Sequence, residues 1–294
     1  MIAMWQIILP FNPVATPRPS IKRTKTGILT YYTEKYATYL EEVSNYLSDH
    51  QLINDDFYQT IACEMGVVME VDFFIQRAKN QKKVNTILRT YAPDIDNLLK
   101  GAMDCIFNQS KIKDSCVVGV IAFKYNTINN ARTEIRLRRV DELEKIQYNF
   151  SEISQVDWQI SLPFNPVATP RPGVKRTKTG ILTYYPKKYQ DYKTAMKTYI
   201  EDQEMYNQDF FQVIQSSFGM IAEIDYFCQM AKNQRKLEKL MKVTAPDIDN
   251  LVKGTLDSIF HYGLPIKDSR VVGLIAYKFN TLKNPHTEVR IRGI

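Results

Sequence analysis

Two copies of one acidic segment contain the residues best suited to chemistry. The segment reads Pro-Asp-Ile-Asp-Asn-Leu-Leu-Lys at 93–100 and Pro-Asp-Ile-Asp-Asn-Leu-Val-Lys at 246–253, and Ile-Lys-Asp-Ser follows at 112–115 and 266–269. Asp94 and Asp96 would point about 200° apart on a continuous helix. Because Pro93 disfavours helix before it and suits a helix start, the sequence places both carboxylates at a loop-to-helix junction, where they can converge.

These carboxylates, together with Asp114 from the second segment, predict a metal centre. Three carboxylates at one helix start repel one another unless a cation intervenes, and Mg²⁺ or Mn²⁺ prefers oxygen ligands. Lys100 lies one turn beyond Asp96 and can add a point charge to a phosphate. Because a bound metal generates hydroxide from water, the set predicts phosphodiester hydrolysis without histidine. The second copy repeats the set as Asp247, Asp249, Asp268 and Lys253.

A structural interpretation of the same residues stays open. Aspartate commonly caps the exposed N–H groups at a helix start and complements the helix dipole. Lys100 could also pair with Asp96 or Asp104 at a spacing of four residues. The presence of all three acids and the lysine in both copies favours the functional interpretation.

A second acidic pair lies on a predicted strand. Glu70 and Asp72 are repeated as Glu223 and Asp225, and each pair projects from one face of its strand. They could add ligands to the metal centre, but a solvated strand face is the favoured interpretation.

A basic loop in each copy predicts contact with nucleic acid. The cations of the two loops are Arg18, Lys22, Arg23, Lys25, Arg171, Lys175, Arg176 and Lys178. Phosphate contacts from such a loop position a nucleic acid without reading its bases, whereas ordinary solvation also explains exposed cations. The basic stretches 79–83 and 232–236 leave the same two interpretations, with solvation favoured. The tyrosine pairs at 31–32 and 184–185 could stack on unpaired bases, although a strand would bury one of each pair.

Composition excludes several other classes of protein. The 294 residues are 44% hydrophobic and 24% charged, as in soluble globular proteins, and 39 basic against 32 acidic residues give a net charge of +7, which favours an anionic partner. Since no apolar run could span a membrane and the first residues lack a signal-peptide pattern, we expect a cytoplasmic protein. None of the 4 cysteines or 3 histidines recurs at its equivalent position, which excludes a repeated catalytic triad or zinc site.

An internal repeat organises the chain that must position these residues. The run LPFNPVATPRP occurs at 9–19 and 162–172, and APDIDNL occurs at 92–98 and 245–251, both at a shift of 153. The copies predict one domain at 1–140 and another at 157–294, joined by an acidic connector at 141–156. Each unit is long enough to bury its own core. We expect the two to associate as a pseudo-twofold intramolecular dimer, so that the protein is a monomeric pseudo-dimer.

Within one repeat, hydrophobic periodicity predicts the order strand, strand, helix, strand, helix, strand, strand. The predicted elements of the first copy are strands at Trp5–Phe11 and Ile28–Tyr32, a helix at Tyr36–Leu47, a strand at Met65–Ile75, a helix from Pro93–Asp94 to Ile106, and strands at Val117–Tyr125 and Arg132–Arg138. Several connections are too short for a crossover helix. The predicted fold class is therefore α+β, with a mixed or antiparallel sheet and helices on one face of each copy.

The sequence resembles the RusA family of Holliday-junction resolvases, small homodimeric Mg²⁺-dependent endonucleases common in phages and prophages of bacterial hosts. The shared pattern is a Pro-rich basic start, PDIDNLLKGAMD, a KDSxVV strand entry and a closing basic strand, and it covers nearly all of each copy. The resemblance implies metal-binding carboxylates at Asp94, Asp96 and Asp114 and a catalytic lysine at Lys100, with the equivalent four residues in the second copy. One departure is Lys113 before Asp114, where the family often has two consecutive acids.

The resulting hypothesis is a structure-selective endonuclease that resolves four-way DNA junctions by paired strand cleavage, with one site per repeat. A four-way junction has near-twofold symmetry, which two related sites would match. Two alternatives stay open: a catalytically impaired protein that binds branched DNA, and a metal-dependent hydrolase acting on nucleotides or RNA.

Overall fold

The computed structural model describes residues 4–24, 28–78, 87–108, 110, 112–140, 156–177, 180–231, 233, 236–261, 264 and 267–294. The first repeat contains β1 (Met4–Leu9), β2 (Ser20–Arg23), β3 (Ile28–Tyr31), α1 (Glu34–Asp49), α2 (Asp55–Ile61), β4 (Val67–Gln76), α3 (Ile95–Phe107), β5 (Val117–Thr127) and β6 (Arg132–Arg139). The second contains β7 (Val156–Leu162), β8 (Gly173–Thr177), β9 (Gly180–Tyr184), α4 (Lys187–Asp202), α5 (Gln208–Ile214), β10 (Met220–Gln229), α6 (Ile248–Ile259), β11 (Val271–Thr281) and β12 (His286–Gly293). The predicted elements occur in the predicted order, and the short strands β2 and β8 and the short helices α2 and α5 are additional.

Strands from both repeats form one mixed sheet of eight strands in the order β1-β6-β4-β5-β11-β10-β12-β7. The order of equivalent strands is the same from either edge. Within each half one pair is parallel, β4 with β5 around α3 and β10 with β11 around α6, and the remaining pairs are antiparallel. The halves join through the antiparallel pairing of β5 with β11. The α+β class is thus confirmed, and the two predicted sheets are continuous with each other.

The main core lies between this sheet and the helices. Side chains on β4 alternate as predicted, since Met69, Val71 and Phe73 are buried beneath the helices while the intervening residues are only partly buried. A smaller apolar cluster covers the centre of the opposite sheet face and includes Ile121 and Ile275. No helix in the described ranges is long and apolar enough to cross a membrane.

Two glycines allow close contact between the halves at the centre of the sheet. Gly119 on β5 lies opposite Tyr277 on β11, and Gly273 lies opposite Phe123. A Cβ atom on either glycine would lie 2.5 Å from the ring of its partner. Each half therefore packs an aromatic ring over a glycine of the other half.

A two-stranded hairpin, β2–β3 or β8–β9, precedes the first long helix of each half. Leu29 and Tyr31 of the first hairpin are exposed, as are Leu182 and Tyr184 of the second. The neighbouring Tyr32 packs against the main core, so one member of this tyrosine pair is partly buried, as the sequence predicts. An isolated hairpin with exposed apolar side chains is marginally stable in water.

Candidate metal centres

Both acidic segments lie at helix starts, as the sequence predicts. Asp94 is the N-cap of α3 and Asp247 is the N-cap of α6, each with extended backbone. In the described structure, neither side chain makes a capping hydrogen bond with its helix. The capping role that aspartate often has at this position therefore does not account for these two residues.

Among the described residues, the carboxylates form two groups of three, and each group draws on both repeats. The first centre consists of Asp94, Asp96 and Asp268, and the second consists of Asp247, Asp249 and Asp114. In each centre, one oxygen of every carboxylate lies within 4.8 Å of the others. Each of the six predicted acids belongs to one of the two centres, but the predicted grouping of three acids from one repeat is wrong.

The pairing of β5 with β11 explains this exchange. Because these strands are antiparallel with Gly119 opposite Tyr277, the beginning of β5 lies beside the later part of β11. The segment that leads into α6 also lies there, since the Lys242 backbone N–H donates to the carbonyl of Lys278 at 3.0 Å. The turn containing Asp114, which leads into β5, therefore meets the start of α6 rather than that of α3.

The two predicted catalytic lysines are exchanged in the same way. Lys253 of α6 donates to Asp96 Oδ2 at 2.9 Å and to Asn97 Oδ1 at 3.2 Å in the first centre. Lys100 of α3 donates to Asp249 Oδ2 at 3.0 Å in the second. Each lysine side chain is partly exposed, while the side chain of the aspartate it contacts is almost completely buried. Each lysine thus fixes a ligand from the other repeat and still reaches solvent.

The innermost carboxylate of each centre has the features of a metal ligand. Asp96 is 3% exposed and Asp249 is 2% exposed. The Oδ2 atom of each accepts from a lysine, whereas Oδ1 is buried and accepts no hydrogen bond from any atom of the described structure. A buried oxygen without a partner is costly. A hard divalent cation would satisfy it and offset the excess of three carboxylates over one ammonium, so the residues fit Mg²⁺ or Mn²⁺.

Protonation of the outer carboxylates reflects the same crowding. Burial, followed by repulsion from Asp94 and Asp96, raises the pKa of Asp268 to about 7. Burial, followed by repulsion from Asp247 and Asp249, raises the pKa of Asp114 to about 6. A bound cation would reverse both shifts by favouring the ionised form. Metal binding at these centres is therefore linked to proton release.

A fourth carboxylate adjoins each centre and was not predicted as a site residue. Asp104 of α3 accepts a 3.1 Å hydrogen bond from the Tyr36 hydroxyl, and burial raises its pKa. Asp257 of α6 lies 3.8 Å from Lys253, and burial raises its pKa as well. Both are repeated at the shift of 153, which was the signal available in the sequence.

The acidic pairs on β4 and β10 lie away from the centres, on the sheet face opposite the main core. Glu70 forms ion pairs with Arg138 at 3.1 Å and Arg136 at 3.5 Å, and Arg136 also contacts Asp72 at 3.3 Å. In the second half, Glu223 pairs with Arg292 at 2.5 Å. These contacts favour the interpretation of a charged strand face over that of further metal ligands.

The basic loops begin near the centres. Arg18 is exposed and its charge offsets a small part of the rise in the pKa of Asp257, while exposed Arg171 does the same for Asp104. Lys22 and Lys175 are exposed on β2 and β8. Arg23 and Arg176 occupy the same strands, but their side chains lie outside the described structure, as do Lys25, Lys178, all of 79–83 and part of 232–236. Arg18 and Arg171 therefore place positive charge close to the carboxylates that adjoin the two centres.

Comparison with known protein families identifies the family to which the chain belongs. The model of the family described as Endodeoxyribonuclease RusA matches the chain twice, over residues 10–138 and 163–292. The chain belongs to the RusA endodeoxyribonuclease family. No curated protein matches the chain closely enough to be reported as similar.

Membership of the RusA family gives the chain its general activity. Both matched regions include the acidic helix start, the lysine and the later aspartate of their repeat. RusA proteins are endonucleases that resolve Holliday junctions, and as a family they generally depend on a divalent metal. The chain is therefore a DNA-binding hydrolase of the recombination class, and the predicted resemblance is confirmed.

Proposed function

We propose that the protein is a Mg²⁺-dependent, structure-selective endonuclease that resolves four-way junctions by paired cleavage, one strand at each composite centre. The observation that carries this proposal is the pair of carboxylate groups, each with a buried oxygen that accepts no hydrogen bond within the described structure. Mn²⁺, which favours similar ligands, would substitute. Paired cleavage follows from the presence of two such centres in one chain.

Asp94, Asp96 and Asp268 would hold the cation of the first centre, and the equivalent three residues would hold that of the second. The bound ion would supply a water of lowered pKa and stabilise the leaving oxygen. Lys253 is anchored by Asp96 and Asn97, which orient its charge, and its side chain stays partly exposed, so it would contact a phosphate at the edge of the centre. Asp268 would bind in its ionised form and release its proton to solvent.

The basic loops would hold the DNA beside these centres. Arg18, Lys22, Arg23 and Lys25, with their equivalents Arg171, Lys175, Arg176 and Lys178, would contact phosphates. The exposed apolar face of each hairpin would stack on bases that a junction leaves accessible, since Tyr31 and Tyr184 are each exposed there. We propose that the two halves act as an intramolecular pair, which requires no second chain.

The decisive experiment uses a synthetic four-way junction with each strand labelled separately. Asp94→Asn combined with Asp247→Asn disables both centres, and it should abolish cutting in Mg²⁺ while junction binding in Ca²⁺ is retained. Asp49→Asn together with Asp191→Asn, two exposed aspartates on α1 and α4, is the matched control and should cut normally.

Three other outcomes would contradict the proposal. Tight, salt-dependent binding without cleavage in any divalent metal would identify a protein that only binds branched DNA. Cleavage of RNA or nucleotides in preference to the junction would identify a different metal-dependent hydrolase. Undiminished junction cutting by the doubly substituted protein would show that Asp94 and Asp247 are not needed for cleavage.

A further inference from the structure

We propose that Lys124 and Lys278 are positioning residues that join the two repeats' contributions to each metal centre. The proposal rests on the proposed function, because it takes the carboxylate groups to be cation sites. Both lysines lie on the central strands β5 and β11, and both are 0% exposed. They occupy equivalent positions in the two repeats, at a shift of 154 rather than 153, because the second copy has one residue more after its acidic segment.

Lys124 contacts the backbone beside ligands from both repeats. Its ammonium donates to the carbonyls of Tyr91 at 3.2 Å, Pro93 at 2.9 Å and Ser269 at 2.6 Å. Pro93 directly precedes Asp94, and Ser269 directly follows Asp268. The three donors of one ammonium therefore hold together the two segments, distant in sequence, that supply the first centre.

Lys278 repeats this arrangement at the second centre. Its ammonium donates to the carbonyls of Thr244 at 3.1 Å, Pro246 at 2.9 Å and Ser115 at 2.9 Å. Pro246 precedes Asp247 and Ser115 follows Asp114. The same pattern of two carbonyls from one repeat and one from the other thus occurs twice in one molecule.

The surroundings of these lysines indicate a specific role rather than general packing. The alternate residues on β5 that share the helix-facing side with Lys124, namely Val120 and Ala122, belong to the apolar core. A buried ammonium without a directly bonded carboxylate is expensive, and burial lowers the pKa of Lys124 to about 8. An apolar residue there would avoid that cost but would leave three carbonyls without their donor.

Neither lysine can be a catalytic residue in the strict sense. The ammonium of Lys124 is fully buried and engaged by three carbonyls, so it cannot contact a substrate. Its effect must pass through the backbone next to Asp94 and Asp268. The expected consequence of losing it is weaker cation binding at one centre, with little change in the cutting rate once that centre is filled.

The test measures Mn²⁺ binding to the full chain without DNA, by calorimetry, and strand-resolved junction cutting as a function of Mn²⁺. Wild type should bind at two centres. Lys124→Met should lose about 10- to 100-fold in Mn²⁺ affinity at the first centre only, as expected when a group supporting a metal ligand is removed. Lys278→Met should do the same at the second centre. Lys197→Met, at an exposed lysine of α4, should leave both unchanged.

The cutting assay separates positioning from general stability. In Lys124→Met, one nick in each junction should form at the wild-type Mn²⁺ requirement, while the second nick should need more Mn²⁺ but reach the wild-type rate at saturation. Equal loss at both centres, or wild-type affinity at both, would overturn the proposal. If Lys124→Met does not fold, Lys124→Gln provides an uncharged donor in its place, and failure of that variant too would assign the lysine to the stability of the whole sheet. A wild-type protein that binds no Mn²⁺ would instead refute the proposed function.

Discussion

Two double substitutions distinguish centres shared between the repeats from a separate site in each repeat. The two models predict opposite outcomes for them. Asp94→Asn with Asp268→Asn affects both repeats but only the first centre. Asp94→Asn with Asp114→Asn affects one repeat but both centres. The two variants remove the same number of charges, so a general electrostatic effect on DNA binding would be the same in both.

The magnitudes follow from counting intact centres. The first variant retains a complete second centre, so the total rate of strand cutting should fall to about half, with a single nick in each junction. It should be no worse than Asp94→Asn alone, because residues acting as one unit are not additive. The second variant has no intact centre, and its cutting should fall about 100-fold or more, since even groups that support metal ligands contribute about 10- to 100-fold.

The assay is single-turnover cleavage of a junction labelled on each strand in turn, at saturating protein. Both variants should bind the junction in Ca²⁺ as wild type does, which checks that each is folded. The reasoning is refuted if Asp94→Asn with Asp114→Asn retains half of the cutting while Asp94→Asn with Asp268→Asn abolishes it.

Three further predictions concern acidity, the joint between halves and the hairpins. Only an ionised carboxylate binds the cation. With a pKa of about 7, Asp268 is about ten-elevenths ionised at pH 8 and about one-eleventh ionised at pH 6. Calorimetry should therefore record about a tenfold loss of Mn²⁺ affinity at the first centre between pH 8 and pH 6. The loss should be smaller at the second, where the pKa of Asp114 is about 6, and equal losses would contradict the assignment. Gly119→Ala places a Cβ against the Tyr277 ring, so it should destabilise the protein by about 1 to 3 kcal/mol in denaturant unfolding. It should also weaken Mn²⁺ binding at both centres, because both depend on the pairing of β5 with β11. Weaker binding at one centre alone would contradict this dependence. Tyr31→Ser should weaken junction binding by about 1 to 3 kcal/mol without changing thermal stability, with the equally exposed Tyr58→Ser as its control, and equal effects of the two would argue against stacking.

The sequence was sufficient to predict the residues of the centres because repetition marked them. Asp94, Asp96 and Asp268 all recur in equivalent positions, and the proline before Asp94 indicated the helix start that the structure has. Strand periodicity likewise predicted β4 and the α+β class. These are local patterns, and a local pattern is readable from a single repeat.

The grouping of ligands was not predictable because it depends on a long-range register. Nothing in the periodicity of β5 or β11 states that these two strands pair antiparallel with Gly119 opposite Tyr277. Lys124 was missed for a related reason, since a lysine in an otherwise apolar strand has no local sign of its three carbonyl partners. Helix α2 was missed because it spans only seven residues, although Asn54 caps it.

The exchange of Lys100 and Lys253 between centres has a consequence for how this molecule tolerates damage. An ordinary tandem duplication supplies a spare, so that one copy can decay while the other continues to work. Here each acidic helix contributes to both centres, because the start of α3 supplies Asp94 and Asp96 to the first centre and α3 supplies Lys100 to the second. Loss of either helix would remove two carboxylates from one centre and the lysine from the other, so neither repeat holds a complete centre of its own.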